Sequence, residues 1–173
     1  MGAVIVLFVG GFIALAVVDA RQKSASGAPD DVKTYDVGPA GEHTSSNVDY
    51  EQNPPAGGAH NPVWQNCGYY DKPVRNETAV HSLEHGAVWI TYSPDLPQDQ
   101  VTKLENIARG QTYILISPYP DLEYPVVASA WGKQVGLDGA DDPDLESFIN
   151  AYRLGPQNPE PGAVCTGGTG ATQ

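Results

Sequence analysis

The hydrophobic pattern changes character three times along the chain. Gly2 to Val18 runs without a single charge and is followed by Asp19, Arg21 and Lys23. Residues 21–42 carry almost no apolar side chains. From His43 to Lys72, polar, Pro and Gly residues dominate, and Trp64, Tyr69 and Tyr70 supply aromatic mass able to wall a pocket or to anchor the loop. Regular spacing begins near residue 76. Ala79, Val80, Leu83 and Ala87 share one side of a helix over 77–85, with Asn76 as N-cap, Glu77 in the first turn and Gly86 as the stop. Ala87 to Tyr92 is continuous and β-branched or aromatic, which predicts a buried strand.

Val101, Leu104, Ile107 and Ala108 recur at helical spacing between Pro97 and Arg109, and Gly110 lies just past the end. Thr112–Ile116 and Pro125–Trp131 predict two more strands. Leu145, Phe148, Ile149 and Tyr152 form the stripe of a closing helix, capped by Asp142 and stopped at Gly155-Pro156. The fold class is therefore α+β: a small single domain with an irregular His-bearing N-terminal half followed by β-α-β-β-α, preceded by one N-terminal transmembrane helix. The strands flanking 97–109 suit a parallel crossover or an antiparallel pair with a helical excursion. The expected divisions are an anchor or uncleaved signal over 1–20, a flexible linker over 21–42, the domain over 43–165 and a disordered tail over 166–173.

The apolar run is at the short end for a membrane span. Ala14-Leu15-Ala16 and Val18-Asp19-Ala20 resemble cleavage sites, but no basic region precedes the run, which favours a retained anchor. Arg21 and Lys23 after the span would keep the remainder in the cytoplasm by the positive-inside rule. The cysteines argue the other way. Cys67 and Cys165 are the only two and neither sits in a C-x-x-C pair, so they read as a structural disulfide of an oxidising compartment. Closing so long a loop is worth up to about 4.7 kcal/mol in the chain-entropy model. A formal net charge of −12 with nine Lys and Arg excludes nucleic acid as a partner and suits attraction of cations.

All four histidines, His43, His60, His81 and His85, fall in one quarter of the chain. On the 77–85 helix, His81, Glu84 and His85 lie opposite the apolar side; in an extended chain the two imidazoles would be about 13 Å apart and could not chelate. Imidazole with carboxylate suits zinc, copper(II), iron or nickel, and His60 from the Pro/Gly loop or His43 completes a first shell. Copper(I) held by thioethers is disfavoured because the sole methionine is Met1. The competing reading puts a His81–Glu84 hydrogen bond on a solvated helix face, with His85 capping the helix end. The string H-x-x-E-H also matches inverted zinc peptidases, but Gly86 ends the helix at once, and Glu123 and Glu146 have undistinguished surroundings as the distant ligand. No G-x-S-x-G elbow or phosphate-binding loop is present.

Pro54-Pro55 with Gly57 and His60, then Trp64, Gly68, Tyr70, Pro73 and His81-Ser82-Leu83-Glu84-His85-Gly86, together with Ser117-Pro118-Tyr119-Pro120 and Ala130-Trp131-Gly132, resemble the bacterial domain-of-unknown-function family DUF3105. The resemblance covers about His43 to Cys165. It implies a domain tethered by one N-terminal helix and held outside the cytoplasm, and it brings no established activity. Two functions follow as expectations. The first is a single-pass, membrane-anchored extracytoplasmic domain binding copper or zinc through His81, Glu84 and His85 with His60 or His43. The second is a non-catalytic accessory subunit of a bacterial membrane or envelope complex, docking a partner through Trp64, Tyr69, Tyr70 and Trp131.

Overall fold

The computed structural model describes residues 27–173; the expected anchor and residues 21–26 of the expected linker lie outside the described residues. Nine elements follow in order: β1 (Lys33–Thr34), β2 (Gly68–Tyr69), α1 (Asn76–Glu84), β3 (Val88–Tyr92), α2 (Gln98–Gly110), β4 (Ile114–Pro118), β5 (Val126–Ala130), β6 (Lys133–Leu137) and α3 (Pro143–Tyr152). The six strands form one mixed sheet in the order β1-β6-β5-β3-β4-β2. The β3-α2-β4 unit is a parallel crossover in which Val88 pairs with Ile114 and Tyr92 with Pro118. β5 runs antiparallel to both β3 and β6.

Alternation along the central strands splits the core into two faces. Val88, Ile90, Ile114 and Ile116 pack with Val101 and Leu104 of α2 and with Leu145, Phe148 and Ile149 of α3. Trp89 and Leu115 point the other way, into a smaller cluster with Ala79, Val80 and Leu83 of α1, Val74 and Trp131. Every residue of β3, β4 and β5 is buried, which is why these strands read as continuous apolar runs. Among the described residues, α1 is thus the one helix on this sheet face, and its apolar side is spent on that contact.

Several expectations need correction. The sheet has three strands beyond the expected ones, β1, β2 and β6, and with β6 the second half runs β-α-β-β-β-α. Lys133 to Leu137 mixes polar and apolar positions too weakly to announce a strand. Its pairing is made by the two-residue turn Trp131-Gly132, where Gly132 takes φ +67°. Asn76 is the first helical residue of α1 and not its cap; Arg75 holds the N-cap position, and the Asn76 amide donates to Tyr119 Oη at 3.2 Å. The described part of the expected linker is fastened: Val32 is buried in the core, and Lys33 and Thr34 pair with β6. Residues 166–173 are not a free tail either. Asn66 N–H donates to Thr169 O, Thr169 N–H to Trp64 O, and Gln173 N–H to Pro73 O. Backbone pairing with an irregular partner leaves no mark in composition.

Cys67 and Cys165 are joined in a disulfide with their Cα atoms 5.4 Å apart, as expected. Among the described residues, no helix is long and apolar enough to cross a membrane.

Candidate metal centre

The polar side of α1 is not solvated. His81, Ser82, Glu84 and His85 are all buried, Glu84 to 1% exposure, because irregular segments on both sides of the helix in sequence fold over it. This removes the reading of an ordinary surface pair. Three covering segments matter. Residues 42–44 and His60 exchange backbone hydrogen bonds, Thr44 N–H to His60 O at 2.7 Å and His60 N–H to Glu42 O at 2.9 Å. That isolated bridge brings His43 and His60 together with ring centroids 4.9 Å apart. Residues 61–65 run along α1, where Asn61 N–H donates to Glu77 O and Gln65 N–H to Thr78 O. The third segment caps the helix end: Glu160 N–H donates to Glu84 O and Gly162 N–H to His85 O, both at 3.0 Å.

The result is a quartet. One ligand atom from each of His43, His60, His81 and Glu84 lies within 4.8 Å of the others. His43 is the exposed member, with 44% of its side chain open; His60 is fully buried. Glu84 uses Oε1 to accept from Gly41 N–H at 2.6 Å and turns Oε2 to His60 Nε2 at 2.9 Å and His43 Nε2 at 4.0 Å.

Tautomers decide what this can do. A backbone carbonyl only accepts, so an imidazole nitrogen facing one must carry hydrogen. His60 Nδ1 faces Gly58 O at 2.7 Å, His81 Nδ1 faces Asn61 O at 2.6 Å, and His85 Nδ1 faces Val164 O at 2.7 Å. In the neutral rings each Nε2 is then a lone pair. Those lone pairs meet other acceptors: His60 Nε2 meets Glu84 Oε2, and His81 Nε2 meets His85 Nε2 at 2.9 Å. Acceptor facing acceptor is repulsive unless a cation or proton lies between. Burial, reinforced by the neighbouring His85, His60 and His43 and opposed by the Asn61 carbonyl, pushes His81 down to about 4. It is therefore neutral at pH 7 and offers its Nε2 pair. Carbonyl-pinned Nδ1–H with converging Nε2 is the arrangement that orients metal-ligating histidines.

His85 stands beside the quartet and not in it, touching it through His81. Trp64 packs over both rings, 5.7 Å from His81 and 5.2 Å from His85 between centroids, and donates its indole N–H to Thr166 O. Trp131 is buried and walls His60 edge-on at 5.8 Å. Tyr69 and Tyr70 are placed elsewhere: Tyr69 Oη pairs with Tyr92 Oη, and Tyr70 Oη donates to Asn66 O. A cleft of about 750 Å³ lined by Asn61, Gln65, Arg75, Glu77 and Thr78 opens beside α1 but includes none of the quartet. The positioning groups Gly41 N–H, Gly58 O, Asn61 O and Val164 O carry no sequence signal, since any residue presents a backbone. Glu160, next to His85, was equally unmarked.

The peptidase pattern does not fit this geometry. Its Glu is a base beside a metal held by both His, whereas Glu84 is turned into the quartet and His85 is left out of it.

Fold and site together define a class: a small α+β domain in which α1 carries a three-histidine, one-carboxylate cluster, buried except at His43, that could hold a metal ion. The chain belongs to the family of proteins of unknown function designated DUF3105, whose model matches residues 43–167. That match begins on His43 and includes all of the quartet and both cysteines. No curated protein and no solved structure is detectably similar.

Proposed function

We propose that this protein is a membrane-tethered, extracytoplasmic domain that holds one copper(II) or zinc ion through His43, His60, His81 and Glu84. The observation carrying this reading is the approach of three imidazoles to one buried carboxylate, a ligand atom of each within 4.8 Å, with the pinned His60 turning its Nε2 lone pair onto Glu84 Oε2 at 2.9 Å, an arrangement that a cation relieves. Three imidazoles with one carboxylate make a donor set suited to borderline ions. Soft alternatives lack ligands: both cysteines are in the disulfide, and no methionine occurs after Met1. Four protein ligands also favour holding an ion over catalysing at it, since catalytic zinc keeps an open position. The uncharged run Gly2–Val18 supports the tether, and the disulfide supports an oxidising compartment.

The alternative, an accessory subunit of an envelope complex, drew on exposed aromatic residues. Trp131 is buried and the Tyr69 and Tyr70 hydroxyls are engaged internally, so metal binding comes first.

Calorimetric titration with Zn(II) tests the reading. Glu84→Gln removes the only anionic ligand of the quartet and is expected to weaken binding by at least the roughly 10–100-fold that loss of an outer-shell partner costs. Equal affinity in the two proteins would contradict the assignment.

A further inference from the structure

His85 is a buried imidazole that the quartet leaves unused. Its Nδ1–H is held by Val164 O, so its Nε2 pair is free to bind; that atom lies 2.9 Å from His81 Nε2 and 4.0 Å from Glu160 Oε2. Adjacent nitrogens bound to one tetrahedral zinc at its usual bond length are about 3.3–3.4 Å apart, so His81 and His85 need to part by only about 0.4 Å to share an ion. Exposure rises outward through these groups: Glu84 1%, His81 and His85 about 5%, and the Glu160 side chain 60%. His81 belongs to both sets, yet a single Nε2 pair serves one ion at a time.

We infer that His85 and Glu160 form an outer metal seat that shares His81 with the quartet and passes the ion between solvent and the buried seat. The inference rests on the metal-binding reading above. On entry, Glu160 and His85 replace waters of the hydrated ion, and His81 joins them. The ion then gives up Glu160, His85 and its remaining waters for His60, Glu84 and His43, keeping His81 throughout. Loss retraces the same steps. The backbone arranges this handover: Glu160 N–H and Gly162 N–H bind the carbonyls that end α1, and Tyr113 Oη donates to Gly162 O and Ala163 O at 3.1 Å. Glu160 and the Val164 carbonyl are thereby fixed on either side of the His85 ring.

The test uses the full chain in detergent, loaded with Zn(II), with uptake and loss followed by a chromophoric chelator. Wild type, His85→Ala and Glu160→Gln are compared, with zinc per chain measured for each. Zinc is expected to stay bound at one ion per chain in all three. Uptake and loss should fall together by about tenfold in His85→Ala, and by less in Glu160→Gln. Glu160 is exposed, so its variant keeps the test open if removal of the buried imidazole harms folding. Retained zinc with unchanged rates would overturn the outer seat and route the ion past exposed His43. Loss of zinc from a His85→Ala of wild-type helicity would overturn it too, making His85 a ligand of a single larger site. A wild type that takes up no zinc would instead overturn the reading beneath it.

Discussion

At the scale of single residues, the arrangement depends on which atom of each side chain is committed elsewhere. Gly58, Asn61 and Val164 carbonyls each take one imidazole Nδ1–H, and Gly41 N–H takes one oxygen of Glu84, which leaves the remaining donor atoms aimed inward. Glu77, one turn before His81, has no such spare capacity. Its Oε1 accepts from Val48 N–H and its Oε2 from Arg75 Nε, both at 2.8 Å. Burial opposes its charge, but the bonds from the Val48 and Glu77 backbones and from Arg75, with the Arg75 charge, outweigh that and hold the carboxyl below the usual range. A lowered folded value means stabilisation that is present above the unfolded value of about 4.3 and is lost as pH falls through the folded one. Glu77→Gln should therefore cost about 1–3 kcal/mol at neutral pH, with the gap to wild type closing below about pH 4. Denaturant unfolding across pH measures this, and a gap that persists undiminished at pH 3 would contradict it. Both histidines and the carboxylate of α1 were legible in the sequence because i, i+3 and i+4 spacing is local. The pinning carbonyls were not, since a backbone group has no letter of its own.

At the scale of elements, α1 is shaped by its end. Gly86 takes φ +101°, its carbonyl accepts from Leu154 N–H at 2.9 Å, and an added Cβ would stand 3.0 Å from Leu154 Cδ2 and 3.2 Å from Leu154 Cα. Leu154, just past α3, is itself at φ +56°, so the ends of α1 and α3 are locked together. From there the chain returns over α1 with Glu160 and Val164. Gly86→Ala should destabilise the fold by about 1–3 kcal/mol through strain at this junction, read by thermal or denaturant unfolding; a neutral substitution would show that the junction yields freely. The stop at Gly86 was legible, as were α2, α3 and the three central strands, whose periodicities are strong. β6 escaped because its apolar positions are diluted by Lys133, Gln134 and Gly136, and its place follows from the Trp131-Gly132 turn. The meeting of His43 with His60 also escaped: two segments without periodicity pair through a single bridge.

At the scale of the whole molecule, the sheet separates two tasks. α2 and α3 build the larger core on one face, while α1 spends its apolar side on the other face and gives its polar side to the quartet. The disulfide joins residues 98 apart in sequence and ties the closing segment, with Val164 at its edge, to the strand that follows Trp64. Composition foretold the disulfide but not the ordering of residues 27–42 and 166–173, which gain their places mainly by backbone pairing, helped in the first segment by the single buried anchor Val32. The tether and its orientation make a separate expectation: alkaline phosphatase fused behind residue 173 should be active in a bacterial host, and an inactive fusion beside an active cytoplasmic reporter at the same junction would reverse the topology. The most direct test of the central claim is the metal content of the full chain, produced untagged through an oxidising compartment and exposed to Zn(II) and Cu(II). Elemental mass spectrometry should find roughly one ion per chain in the wild type and none in His60→Ala/Glu84→Ala of equal helicity. A wild type without bound metal, or a double variant that keeps it, would contradict the account.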